Sequence, residues 1–396
     1  MNTALPQIPV AKPVLDEEEV AAIRRVVLSG WVTQGPEVAA FELEFAAFVG
    51  APHACAVSNC TTALHLALKA VGVGPGDEVI TVSHTFIATA NAVRYCDAIP
   101  VFVDIEHNGF NIDPDQIEAT ISSRTKAILA VHQLGMPCDL ARIVEIGRRH
   151  GIPVIEDAAC ASGSEIRWGE EWQKIGKPHG DIACFSFHPR KVITTGDGGM
   201  LTTANPDYDR KFRLWRQHSM SVTDQARHGS KQVIYEEYPE IGYNYRMTDL
   251  QAAVGRVQLK RLPELVSRRR HLAELYRRSL HDIHGLQVPV EPSWACSNWQ
   301  SYCIRLPDWL DQRETMQALL DRGISTRRGI MNIHREPAYR YGHTHRRVRN
   351  LGASEAAQEK AIILPLFAQM TEEDIAVVVD AFHEIAADTR PRGATG

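Results

Sequence analysis

Ala54-Cys55-Ala56-Val57-Ser58-Asn59-Cys60-Thr61-Thr62-Ala63-Leu64-His65-Leu66-Ala67-Leu68 is the stretch from which the fold is read. Its first four residues are an apolar run of strand length, and from residue 61 to 71 apolar positions return at helical spacing. The polar junction at 58–62 is where a strand passes the chain to a helix. Outward from it the same alternation repeats: residues 78–82, 100–103, 125–131, 152–155 and 182–186 read as strands separated by amphipathic stretches. That order predicts an α/β class, with a mainly parallel sheet covered by helices. The glycine-rich segment 72–77 follows a helix and precedes a strand, the reverse of a dinucleotide-binding fingerprint, and reads as a helix stop and turn. No GxxxxGK[ST] phosphate loop occurs.

Beyond residue 250 the pattern changes. Residues 250–282 form one long helical period, with Leu259, Leu262, Leu265, Leu272, Leu275 and Tyr276 apolar between charged positions, as a bridge to a second unit requires. After it, a strand at 301–306 and helical segments at 313–322 and 372–385 predict a smaller α+β domain. The expected division is 1–250 for a large domain with an N-terminal arm, and 251–396 for the bridging helix and small domain.

The whole chain, 396 residues at 44% hydrophobic and 23% charged, is long enough for two sizeable cores and excludes disordered and collagen-like classes. A formal charge of −5 offers no electrostatic footprint for nucleic acid. The eight cysteines contain no CxxC pair, which argues against a zinc site or a disulfide framework. The first residues lack a charged and then apolar leader, and no apolar run reaches membrane-spanning length, so a cytoplasmic protein is expected.

Two segments carry chemistry. Val154-Ile155-Glu156-Asp157-Ala158-Ala159 reads as a buried strand ending in an acid, and Phe185-Ser186-Phe187-His188-Pro189-Arg190-Lys191 precedes Val192-Ile193-Thr194-Thr195-Gly196-Asp197-Gly198-Gly199-Met200. A lysine amine can form a reversible Schiff base, and a carboxylate can keep a pyridine ring protonated. Each alone has an ordinary reading, Lys191 as a solvated loop lysine and Asp157 as a strand-end cap for the following segment. The junction 58–62 adds free backbone N–H groups at a helix start, a place for an anion or for simple capping by Ser58 or Asn59.

With these segments stand residues 30–36, Phe41-Glu42, residues 57–68, Gly242-Tyr243-Asn244-Tyr245-Arg246-Met247-Thr248-Asp249 and residues 363–366 before 370–374. The ordered series covers nearly the whole chain and closely resembles the DegT/StrS family of pyridoxal-phosphate-dependent sugar aminotransferases. The resemblance implies a fold-type-I architecture and pyridoxal 5'-phosphate as cofactor, held by Lys191 with Asp157 at its ring nitrogen. It also implies that Cys60, Thr61 and Ser186 hold the phosphate, that Phe86 stacks on the ring, and that Cys160 stands where a partner of the 3-oxygen is found. Asn244 would reach the phosphate of a neighbouring subunit, giving a homodimer with shared active sites. His188, Arg327 and His334 are implied at the substrate.

The implied reaction carries an amino group from glutamate or glutamine to a nucleotide-linked keto-deoxysugar; a keto-cyclitol of antibiotic assembly is the alternative acceptor, and a non-catalytic cofactor-binding regulator the alternative class. The chain departs from the family's pattern at Cys60, where glycine is usual, at Cys160, where glutamine or histidine is common, and at Gly329-Ile330-Met331-Asn332, where many relatives have an aromatic-x-proline pattern. The basic run Arg340, His343, His345, Arg346, Arg347 and Arg349 reads as a solvated loop in preference to a diphosphate clamp.

Overall fold

An eight-stranded sheet organises the larger part of the chain. In the computed structural model, residues 7–222, 227, 230–340, 344–347 and 350–389 are described. The strands are β1 (His53–Val57), β2 (Glu78–Val82), β3 (Ile99–Val103), β4 (Thr125–Val131), β5 (Val154–Asp157), β6 (Glu165–Trp168), β7 (Glu171–Lys174), β8 (Ile182–Ser186), β9 (Gly199–Thr203), β10 (Ala295–Cys296), β11 (Tyr302–Arg305), β12 (Arg327–Arg328), β13 (Arg346–Arg347) and β14 (Ala361–Leu364). The large sheet runs β1-β9-β8-β5-β4-β2-β3-β13. Every pairing in it is parallel except those of β9, which lies antiparallel to both β1 and β8. Strands β2 and β8 are buried along their whole length, including Glu78, Thr81 and Ser186.

Helices α1 (Glu17–Ser29), α2 (Pro36–Val49), α3 (Cys60–Ala70), α4 (Ala88–Tyr95), α5 (Leu140–His150) and α6 (Pro206–Trp215) accompany the sheet. Phe41 and Phe45 of α2 meet Phe187 and Phe185 at ring separations of 5.3 and 5.0 Å. Strand alternation therefore commits Phe185 and Phe187 to that aromatic core and turns Ser186 to the opposite face. Glu42 accepts from Ala56 N (2.9 Å) and pairs with buried Arg216, tying α2 to β1, so this motif residue is structural.

The long helix α7 (Asp249–Leu280) starts at a capping box between Thr248 and Gln251 and holds Pro263 in its interior. Leu259, Leu262 and Leu265 enter the core beside the large sheet, whereas Leu272, Tyr276 and Leu280 enter a second core. One helix is thus shared by both hydrophobic cores, and the division expected after residue 250 falls at its N-terminus. The second core also takes residues from α8 (Gln312–Asp321), α10 (Glu372–Thr389) and the antiparallel sheet β11-β14-β12. Between them α9 (Gly352–Lys360) caps Asp104 through the amides of Ala353 (2.9 Å) and Ser354 (2.8 Å).

The arm before α1 crosses between units. Ile8 joins the second core, its amide donating to Gly323 O (2.9 Å) and its carbonyl accepting from Ser325 N (2.9 Å). The basic run is solvated at Arg340 and Arg347, which are exposed, but not at Arg346: Arg346–Arg347 adds to the edge of the large sheet as β13, and Arg346 donates to the fully buried Glu78 at 2.8 Å. A buried carboxylate draws charged partners to itself, and Arg124 is the second at this one. His343 and Arg349 lie outside the described residues. No helix among the described residues is long and apolar enough to cross a membrane.

Candidate active site

The carboxyl ends of parallel strands open on one cavity of about 310 Å³, the place where open α/β sheets bind their ligands. It is lined by the segments following β1, β2, β4, β5 and β8, by Val10 and Ala11 of the arm, and by residues of the second unit. Of the residues expected at a site, Cys60, Thr61, Phe86, Asp157, Cys160, Ser186, His188, Lys191 and Arg327 all line it. A larger cavity of about 490 Å³ borders it at Gln133, Leu134 and Ser301, walled by Phe110, Trp294 and Trp299, but has no lysine or arginine in its lining.

Asp157 ends β5 and is buried. Its Oδ2 accepts from Thr89 Oγ1 at 2.8 Å and its Oδ1 from Ala159 N at 3.2 Å, and among the described residues no cation stands within ion-pairing distance. Burial pushes its carboxyl up from the ordinary value of 3.8, against the hydroxyl and amide donors and the more distant charge of Lys191. His132, next to Val131 at the end of β4, accepts from Cys138 N at Nδ1 (3.1 Å) and donates from Nε2 to Glu156 (3.0 Å). The amide fixes this neutral tautomer.

Lys191 stands on the connection between β8 and β9, with its Nζ 3.0 Å from Cys160 Sγ. Burial pulls its ammonium down, but the Cys160 and Cys60 sulfurs and Asp157 outweigh it and hold the amine above its ordinary 10.5. Lys191 N donates to His188 O (2.8 Å), and Gln300 Nε2 donates to Arg190 O, so the loop is held on both sides of the amine. Asn298 Nδ2 reaches the carbonyls of Cys160 and Ser162 (both 2.8 Å) and pins the opposite turn.

At the start of α3, Asn59 Oδ1 accepts from Thr62 N (2.9 Å) and the Asn59 carbonyl from Ala63 N (3.2 Å). The amides of Cys60 and Thr61 precede these bonds and remain as the positive end of the helix. Cys60 directs its thiol to Cys184 O (3.6 Å), so the bulk added at this glycine-favouring position points into the sheet and away from the cavity. Gly199 is required beside it: a Cβ there would come within 2.5 Å of the Asn59 carbonyl carbon. Phe86 is 55% exposed although aromatic, its ring offered to the cavity and withheld from the core.

Two expected residues lie elsewhere. His334 is outside the cavity, with Nδ1 engaged by Ser83 Oγ (2.7 Å) and Nε2 by Glu355 (3.0 Å), so both nitrogens are taken by structural partners. Asn244 is exposed, outside the cavity, and its backbone bridges Gln217. It is flanked by the stacked rings of Tyr243 and Tyr245 (4.9 Å, 9°). Gly242 seats that segment, since a Cβ would come within 2.2 Å of Ser219 N. Residues that sequence reasoning missed are Thr89, Asn298, Gln300 and Arg190; the one available signal was that a buried carboxylate such as Asp157 needs hydroxyl or amide donors close by.

The sequence pattern of the DegT/DnrJ/EryC1/StrS aminotransferase family matches residues 13–383. The GDP-perosamine synthase of Caulobacter vibrioides is 39% identical over 388 residues, covering 96% of this chain and 99% of that protein. The crystal structure of the aminotransferase TlmJ from Streptoalloteichus hindustanus is similar with a TM-score of 0.87 at 34% identity, over 97% of this chain and 100% of that one. The PLP-form structure of Spr1654 from Streptococcus pneumoniae is similar with a TM-score of 0.87 at 26% identity, over 97% and 100%.

Proposed function

This chain belongs to the DegT/DnrJ/EryC1/StrS aminotransferase family and is an enzyme, a transaminase; from that premise we propose its cofactor and substrates. It binds pyridoxal 5'-phosphate between Lys191 and Asp157 and transfers an amino group from glutamate or glutamine to a nucleotide-linked keto-deoxysugar. The observation that carries this reading is a buried carboxylate, without a cationic partner among the described residues, facing the same cavity as a lysine amine. Asp157 is costly to bury as an anion, and a protonated ring nitrogen would supply the missing charge. The residues present fit the group: an amine, a lone acid, free helix-start amides at Cys60 and Thr61 with the Ser186 hydroxyl, and the open ring of Phe86.

When bound, pyridoxal 5'-phosphate supplies an aldehyde that condenses with amines and a ring that takes up carbanion electrons. The chain's own residues do the rest. Lys191 anchors the cofactor through Nζ and, once released, takes the proton from the donor's α-carbon at the same atom. Asp157, set by Thr89 and Ala159, keeps the ring nitrogen protonated. Cys60 and Thr61 amides and Ser186 hold the phosphate. Arg190 and Arg327 are exposed on the cavity lining and form no ion pair among the described residues, so they are placed to take substrate anions.

The non-catalytic reading is set aside with the transaminase assignment. The name of the Caulobacter relative, a GDP-sugar synthase, favours a nucleotide-linked acceptor over a keto-cyclitol. Incubation of cofactor-loaded protein with L-glutamate is expected to release 2-oxoglutarate and bleach the visible absorbance of the lysine-bound cofactor. Nucleotide-linked keto-sugars are expected to restore that absorbance and keto-cyclitols to leave it bleached; restoration by a cyclitol alone overturns the sugar assignment. In this reading Asn244, exposed beside the Tyr243 and Tyr245 stack, reaches the phosphate in a second subunit, so the enzyme is a homodimer with shared sites.

A further inference from the structure

We propose that Cys160 and Lys191 form a reversible oxidative modification site, at which a peroxide converts the thiol and amine into a direct sulfur–nitrogen cross-link. The geometry is already that of a reacting pair, with Sγ and Nζ 3.0 Å apart. Cys160 is half-buried and lines the cavity, so a molecule as small as hydrogen peroxide reaches it from the open side. Both partners are anchored, Cys160 by Asn298 on its carbonyl and the Lys191 loop by Gln300 on Arg190 O, so neither has to be brought in. The other seven cysteines are poor competitors: burial pushes each of their thiols up, those of Cys55, Cys96 and Cys303 to about 12.

The chemistry balances in two steps. The Cys160 thiolate attacks one peroxide oxygen, the oxygen–oxygen bond breaks, and a sulfenic acid and hydroxide result. The unprotonated Lys191 Nζ then attacks the sulfur, the sulfur–oxygen bond breaks, and water leaves with a proton from the amine. Sulfur is oxidised by two electrons and the peroxide is reduced to water. The second step is helped by the first, because the Cys160 sulfur is among the groups that hold the Lys191 ammonium up against burial. With that sulfur converted to a sulfenic acid, one of those groups is gone and burial weighs more heavily toward the free amine. Two thiols reverse the link, restoring both side chains and leaving as a disulfide.

The cross-link removes the amine, so its effect on turnover rests on the role given to Lys191 above, whereas its existence does not. The test is peptide mapping of full-length protein, cofactor-loaded and cofactor-stripped, after stoichiometric hydrogen peroxide. Stripped wild type is expected to yield a joined peptide carrying residues 160 and 191, lighter than the two separate peptides by two hydrogen atoms and released by dithiothreitol. Loaded protein is expected to form it at least tenfold more slowly, since its amine is engaged. Lys191→Ala is expected to show instead a sulfenic acid at Cys160 trapped by dimedone, and Cys160→Ser no modification at either position. A disulfide from Cys160 to another cysteine, equal dimedone trapping in wild type and Lys191→Ala, or an unmodified Cys160 under conditions that oxidise Cys296 would each overturn the proposal.

Discussion

Thr89 donates its hydroxyl to Asp157 Oδ2 at 2.8 Å, reaching from the helix after β2 to the acid that ends β5. Thr85 Oγ1 lies 3.1 Å from the Thr89 oxygen, so a hydroxyl relay backs the carboxylate. A hydrogen bond to a charged group contributes about 1.5–3 kcal/mol. Thr89→Val is therefore expected to weaken cofactor binding by about tenfold or more, with Thr89→Ser close to wild type. Titration of stripped protein with pyridoxal 5'-phosphate checks this, and equal dissociation constants for the valine and serine variants would remove the role given to Thr89.

Lys191→Ala is expected to fold, to bind the cofactor without a covalent link, and to lose the visible absorbance of the lysine-bound form. Turnover should fall by about two to four orders of magnitude, the usual worth of a positioned acid and base. Single-turnover release of 2-oxoglutarate from L-glutamate measures it, and a rate near wild type would refute the assignment.

Asp157→Asn separates charge from shape. Burial holds the Asp157 carboxyl above 3.8, so the acid is neutral at low pH and becomes the required anion only as pH rises through its raised value. Wild-type affinity for the cofactor is expected to climb over that interval while the asparagine variant stays flat and weak. In stripped protein the sign is opposite: a raised folded value adds stability at acid pH that is lost as pH rises. The melting temperature of the variant should therefore gain on wild type toward neutral pH, and parallel profiles would contradict the burial argument.

His65 provides an acid limit that does not involve the cofactor. Burial, with a smaller push from Lys69, lowers its imidazole to about 4, and Nδ1 meets Tyr245 OH at 3.1 Å. A depressed histidine stabilises the fold above its ordinary 6.5, and this is lost as pH falls through about 4. The loss amounts to about 3 kcal/mol at the acid end. His65→Leu should be the less stable protein at neutral pH, by about 1 kcal/mol for the missing hydrogen bond, and the more stable at acid pH. Urea midpoints at the two ends would show the crossing or its absence.

If Asn244 acts across a subunit boundary, mixing Asn244→Ala with Lys191→Ala protein is expected to restore activity. Each heterodimer then holds one site with both lesions and one with neither. Verified heterodimers with no recovery, while Asn244→Ala alone is impaired, would place Asn244 in its own subunit's chemistry or in folding.

Much of this architecture was legible because periodicity reports burial. The run 54–68 predicted β1 and α3, the 250–282 pattern predicted α7 to within a few residues, and the α/β class followed. Strand β9 was not legible, since Gly199-Met200-Leu201-Thr202-Thr203 is not an apolar run, and its antiparallel place between β1 and β8 emerges only from the sheet. Arg346 of β13 read as solvated because Glu78, its reason for leaving water, is remote in sequence. Lys191 and Asp157 could be singled out as residue types in recurring contexts. Thr89, Asn298 and the closeness of Cys160 to Lys191 could not, because each depends on which loops the sheet brings to one edge.

The antiparallel insertion of β9 also sets how much chain must be closed to form the loop of Lys191. Ser186 pairs with Gly199 and Ile182 with Thr203, so the segment bearing Lys191 is closed by a hairpin between neighbours in sequence. Thr89 is brought to Asp157 by the pairing of β2 with β4 and of β4 with β5, contacts of greater separation along the chain. Local pairings close at lower entropic cost than distant ones. The loop of the reactive amine is thereby closed at a lower entropic cost than the contact that joins the facing carboxylate to its donor.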